Sequence, residues 1–96
     1  MAAYIVVDSK IIDAEQQVLY REIAAPIVAK FGGEYLARGG KLSVKEQLLG
    51  TPARLVIVKF SSFEQAEAFY NSTEYKAALA ISDKAAQRTF SIVDGV

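Results

Sequence analysis

The sequence predicts an α+β chain: a four-stranded antiparallel sheet with helices on one face, in the order strand, helix, strand, strand, helix, strand. Three observations carry this. Ala3-Tyr4-Ile5-Val6-Val7 and Arg54-Leu55-Val56-Ile57-Val58-Lys59-Phe60 are apolar on both faces, as strands inside a sheet are. Helix-start signals follow each of them, Asp13 with Gln16 after the first and Ser61-Ser62 with Glu64 and Gln65 after the second. Two glycine pairs, Gly32-Gly33 and Gly39-Gly40, bracket an alternating stretch between these halves.

The first helix runs from the Asp13 cap through Leu19, Tyr20, Ile23, Ala24, Ile27, Val28 and Phe31, apolar residues at helical spacing. Pro26 removes one backbone hydrogen bond and disfavours helical geometry at Ala25, which predicts a kink or break there. Gly32-Gly33 ends the helix. The next strand alternates from Glu34 to Arg38 and again through Leu42 and Val44 to about Gln47. It reads as one long strand bulged at Gly39-Gly40, with a Gly-Gly hairpin as the alternative. Gly50-Thr51-Pro52 is a turn, and Arg54 to Phe60 returns to the middle of the sheet.

The second helix presents Phe63, Ala66, Phe69 and Tyr70 inward. Asn71-Ser72 interrupts it, and Ser72 caps a further helical stretch with Tyr75, Leu79 and Ser82 on its facing side. Thr89 to Val93 alternates as the last strand. This order is the split βαβ arrangement of the ferredoxin-like motif, whose crossovers are right-handed. One face of the sheet is then bare, with Tyr4 or Ile5, Leu55 or Val56, and Ile92 or Val93 pointing to it. A patch of that kind predicts an interface, and a two-fold homodimer with sheets face to face is the economical solution.

A chain of 96 residues predicts one domain, 1–96, whose core is small enough to profit from a partner surface. Apolar residues make up 52% of it, and the eleven basic and eleven acidic side chains are spread through both halves. There is no basic stripe, so no nucleic acid is expected as a partner. The apolar start is too short for a membrane span or a signal core, which predicts no membrane partner and a cytoplasmic protein. With neither cysteine nor histidine, disulfide and thiol chemistry are excluded and the commonest general base and transition-metal ligands are missing. No metal or cofactor is expected. The glycine pairs do not match the spacing of a phosphate loop.

Several spaced motifs resemble one family. Tyr4-Ile5-Val6-Val7-Asp8, Tyr20-Arg21, Phe31-Gly32-Gly33, Tyr35-Leu36-Ala37-Arg38-Gly39-Gly40, Arg54-Leu55-Val56 and Ala68-Phe69-Tyr70-Asn71-Ser72-Thr73-Glu74-Tyr75 are similar to the bacterial domain-of-unknown-function family numbered thirteen-thirty. The resemblance covers nearly the whole chain and implies the dimeric α+β barrel superfamily, but no settled activity. That superfamily includes cofactor-free monooxygenases of phenols and quinols, muconolactone-type isomerases, haem-degrading enzymes and plain ligand binders, many with a cavity between helices and sheet. The chain has Ser72-Thr73-Glu74-Tyr75 where the family often has Ser-Pro-Glu-Tyr, which leaves the helix cap intact. Haem-degrading relatives use a histidine that is absent here.

The candidate ligand-binding residues are Arg38, Tyr20, Tyr35, Tyr70, Tyr75 and Arg54. A buried phenol needs a hydrogen-bond partner, and convergence of several on one cavity would supply it; the plain alternative is core aromatics bonded to backbone. Arg38 beside a bulge is aimed to clamp a carboxylate or phenolate, unless it pairs with Glu34, Glu46 or Asp8. Arg54 ranks second, at a strand end where arginines are commonly solvated. Asp8 reads as a backbone-bonding residue at the end of the first strand.

Two functions follow from this pattern. One is a homodimer that binds a small aromatic or carboxylated molecule between helices and sheet. The alternative is a cofactor-free monooxygenase or isomerase, with Arg38 stabilising an enolate or phenolate and Tyr20 or Tyr75 moving a proton. A structural or interaction module is the third reading.

Overall fold

The structure, a computed structural model, describes residues 1–96. Its elements are β1 (Ala3–Ile11), α1 (Ala14–Lys30), β2 (Glu34–Arg38), β3 (Leu55–Phe60), α2 (Phe63–Tyr70), α3 (Thr73–Ala85) and β4 (Ala86–Asp94). The strands lie in the order β2-β3-β1-β4 with every pairing antiparallel, the ferredoxin-like arrangement. No helix is long and apolar enough to cross a membrane.

The local signals act as the residues dictate. Asp13 Oδ1 accepts from the Glu15 and Gln16 N–H groups and starts α1. Ser62 caps α2 through the Gln65 N–H, and Ser72 caps α3 through the Tyr75 N–H. At the end of α1, Gly32 takes a φ of +79° while the Gly32 and Gly33 N–H groups donate to Ala29 O and Val28 O. Those two bonds are the Schellman closure that glycine permits.

Four expectations change. Pro26 sits inside an unbroken α1, its place on the exposed side of a helix otherwise held by Ala24 and Val28 in the core. The long strand stops at Arg38, because β3 begins only at Leu55 and the residues beyond Gly39 have no ladder to join. Leu42 and Val44 keep their alternation but lie exposed, and Leu48 and Leu49 are fully so. The bulge sits between Tyr35 and Ala37, not at the glycines, and the Gly-Gly hairpin does not form. Phe63, at the open end of α2, is exposed rather than inward, as are Leu19 and Ile23 on α1.

The outer strands also run further than their apolar stretches. Ser9, Lys10 and Ile11 extend β1 against Arg88, Gln87 and Ala86, so α3 passes directly into β4. The Ile12 and Asp13 N–H groups then tie the exit of β1 to Ala85 O.

Helices cover one face of the sheet. Ile5, Phe60, Phe69 and Tyr75 are its largest sealed side chains, and the Phe69 ring stands 5.4 Å from Phe60 and 4.5 Å from Tyr75. The opposite face carries Tyr4, Leu55 and Val93 together with Val6 and Ile57, all half-buried or exposed, while Ile5, Val56 and Ile92 turn towards the helices.

Candidate functional site

Strand pairing sets the floor of the site. On the helix-facing side, one cross-strand row reads Arg38, Val56, Val7, Phe90, and the next reads Arg54, Ser9, Arg88. In the second row the Ser9 N–H donates to Arg54 O at 2.9 Å, and Ser9 is paired with Arg88 on the other side. Arg38 reaches this face because of the bulge. Residues three apart in a regular strand point to opposite faces, and the extra residue at Leu36 brings Tyr35 and Arg38 to the same one.

The roof comes from the helices. Gln17, Tyr20, Arg21 and Val28 face down from α1, with Phe69 from α2 and Tyr75 from α3. Together they line a partly open cavity of about 50 Å³, room for a few water molecules at roughly 10–15 Å³ each on the same measure. All four arginines of the chain, Arg21, Arg38, Arg54 and Arg88, line it. None of the lysines and no aspartate or glutamate does. The one ion pair of the structure joins Lys30 to Glu74 at the surface, so the guanidinium groups are uncompensated and the expected partners Glu34, Glu46 and Asp8 do not engage Arg38. Asp8 instead accepts from the Ala53 and Arg54 N–H groups from within β1, a long-range version of the backbone role expected of it.

The phenols are organised by the arginines. Tyr20 and Tyr75 hydroxyls are 2.7 Å apart, and Arg88 donates to both, Nη1 to Tyr20 at 3.1 Å and Nη2 to Tyr75 at 3.3 Å. One phenol proton is used between the two oxygens, which leaves one O–H uncommitted. Arg38 lies over the Tyr35 ring at 4.5 Å, a cation–π contact. Burial, and then the neighbouring Tyr20, raise the Tyr75 pKa far above the phenol range against the opposing pull of Arg88. Burial likewise raises Tyr35, with Arg38 opposing. Tyr75 and Tyr35 are therefore neutral hydrogen-bond donors at physiological pH.

The Ser9 hydroxyl completes the inventory. It is 4% exposed and is the single buried side-chain polar atom without a hydrogen-bond partner. Arginine, serine and protonated phenol all offer donors, so the cavity suits a molecule rich in acceptors.

Five of the six sequence-predicted residues meet here: Arg38, Tyr20, Tyr35, Tyr75 and Arg54. Tyr70 does not, and packs behind Tyr75 and Phe90 at ring distances of 5.6 and 4.8 Å. Sequence reasoning missed Arg21, Arg88 and Ser9. Arg88 had a legible signal, since Arg88, Phe90 and Ile92 alternate on one face of β4.

A family model described as a domain of unknown function (DUF1330) matches residues 2–96. No curated protein matches the sequence. Among solved structures, the chain is similar to a protein of unknown function from Rhodopseudomonas palustris, with a TM-score of 0.78 at 12% identity over 99% of this chain and 82% of that one. It is also similar to a dimeric protein of unknown function and ferredoxin-like fold from Bacteroides fragilis, with a TM-score of 0.55 at 13% identity, covering 98% of this chain and 96% of that one. An antibiotic biosynthesis monooxygenase-like protein from Nitrosomonas europaea gives a TM-score of 0.56 at 10% identity over 99% and 90%. Likeness at such identities shows the fold.

Proposed function

The chain belongs to the domain-of-unknown-function family DUF1330, and from that premise we propose that it binds a small organic anion with an apolar or aromatic body in the cavity between helices and sheet. One observation carries the reading: every arginine of the chain lines this cavity, and no acidic side chain neutralises them there. Uncompensated guanidinium groups against apolar walls are costly to hold together unless something anionic joins them. Arginine's planar fork is suited to carboxylates, and the valine and phenylalanine walls suit a flat body.

The space of about 50 Å³ is small beside the roughly 300 Å³ of an ordinary ligand pocket. Arg21 and Arg38 are the exposed arginines of its lining, and a ligand of ordinary size would need lining side chains to give way. The reading includes a second copy of the chain over Tyr4, Val6, Leu55 and Ile57, an apolar face that no helix covers. Sedimentation should give a dimer; a monomer at high concentration would remove that part.

Titration calorimetry and thermal melts with benzoate and related aromatic acids test the binding. Saturation at about a hundred times Kd stabilises by about 2.7 kcal/mol, or roughly 10–20 °C in a domain of this size. Arg88→Met should abolish the shift, and the absence of any shift in the wild type at millimolar acid would end the reading.

A cofactor-free oxygenase or isomerase would draw on the same groups, with Arg88 between two phenols as the electrostatic element rather than Arg38. It lacks a base. Tyr75 is held protonated and no carboxylate or histidine lines the cavity, so binding takes precedence.

A further inference from the structure

The reading that the cavity binds an organic anion leaves open which groups receive the acid and how many acids the ligand carries. Ser9 answers the first question. A buried hydroxyl without a partner costs stability, and native structures keep such groups where an unseen partner completes them. This one lies between Arg54 and Arg88 on adjacent strands of the sheet, on the cavity side. The row sets a buried donor between the bases of two arginine side chains, Arg54 reaching out against Gly39 just past β2 and Arg88 towards the two phenols. A carboxylate over Ser9 would draw the flexible Arg54 arm in from Gly39. Arg88 is further held by the Tyr20 and Tyr75 oxygens, so it is fixed before any ligand arrives.

Arg38 answers the second. It stands one row along the sheet, next to Val56 rather than Arg54, about 7 Å further along the strand direction at about 3.4 Å per residue. Arg21 on α1 is the other arginine outside the Ser9 row. Two guanidinium groups serve one carboxylate amply, and the remaining two would stay uncompensated with a monoacid.

Resting on the anion-binding reading, we propose that Arg54, Ser9 and Arg88 seat one carboxylate, that Arg38 and Arg21 hold a second, and that the ligand is a dicarboxylate with a flat or short apolar body. Ser9 contacts the ligand and contributes nothing to the empty fold.

Calorimetry with benzoate, terephthalate and inorganic phosphate on wild type, Ser9→Ala and Arg38→Met tests this. Terephthalate should bind roughly ten- to hundredfold more tightly than benzoate, the worth of a charge-assisted contact. Arg38→Met should bring that ratio towards one. Ser9→Ala should weaken both acids about tenfold while its ligand-free melting temperature stays at or above that of wild type, a combination that a merely structural serine would not produce.

Equal binding of benzoate and terephthalate would overturn the dicarboxylate class and leave anion binding standing. Unchanged affinities in Ser9→Ala would overturn the Ser9 seat. Phosphate binding more tightly than either acid would overturn the carboxylate assignment, and no binding by any probe would remove the anion-binding reading as well.

Discussion

The helix-facing side of the sheet has two ends built on opposite rules. Where Ala3 pairs with Phe60 and Ile5 with Val58, rings and branched chains fill the space, and Gly33 has no Cβ because one there would fall 2.6 Å from Val28 Cγ1 and 2.8 Å from Phe60 Cζ. Where Ser9 lies between Arg54 and Arg88, charge is uncompensated and a hydroxyl is unpartnered. The glycine at that end, Gly39, has a φ of +69° and lies against the Arg54 guanidinium. One glycine lets a core close, and the other lets a cation stand in a cavity. A small domain with a net stability of about 5–15 kcal/mol carries an unsatisfied site at one end because the other is so fully packed.

Removing packing at the dry end should have the largest effect. Phe60→Ala should cost about 3–5 kcal/mol, read from urea unfolding, a large part of the total. Gly33→Ala should cost about 1–3 kcal/mol by overpacking, since both neighbours are sealed and neither has room to move.

At the wet end the order of effects should invert. A Cβ on Gly39 would come within 2.9 Å of Arg54 Cζ, but a guanidinium at the end of a flexible chain moves readily. Gly39→Ala should therefore cost only the backbone term, about 1–2 kcal/mol, while displacing Arg54 and weakening acid binding by more than Gly33→Ala does. Comparable binding losses in the two variants would break the comparison.

The phenols give a pH test. Tyr75 and Tyr35 have folded-state pKa values raised above the ordinary value of about 10. The unfolded chain then loses those protons first, so stability is whole below about pH 10 and declines as pH climbs towards the folded values. The urea midpoint should fall over that alkaline window, and Tyr75→Phe should flatten the fall.

The smallest effect belongs to neither end. Glu74 is held below the usual carboxylate range, chiefly by the hydrogen bond from Lys30, at the exposed edge between α1 and α3. Its contribution is present at neutral pH and fades as pH falls through the Glu74 range, and salt should screen it. Lys30→Met should leave the melting temperature where it is.

The two ends were also unequally legible in the sequence. Caps at Asp13, Ser62 and Ser72 and the Gly32-Gly33 stop are written within a few residues of where they act, and each was readable in advance. Leu42 and Val44 alternate like strand residues and so predict a longer second strand than forms, because alternation says nothing about whether a partner ladder exists. Arg38 and Arg54 were visible beside glycine and turn signals. Arg88 lay outside the apolar stretch that marks β4, and the lack of a partner for Ser9 is a tertiary fact that no local pattern records. The partition of the two cations was open to counting: arginines gather where lysines do not.

The bulge at Leu36 has a consequence for how such a chain tolerates insertions and deletions. Leu36 is exposed and has no place in the β2–β3 register, which passes from Tyr35 to Ala37. Losing that one codon would leave Tyr35, Ala37 and Arg38 opposite the partners they already have, and a melt and an acid titration of the deletion should both resemble wild type. A one-residue gap between Leu55 and Phe60, by contrast, would turn the rest of β3 over, exchanging cavity floor for outer face. Length variation at this site is therefore expected to collect at position 36 of the edge strand and to spare its neighbour.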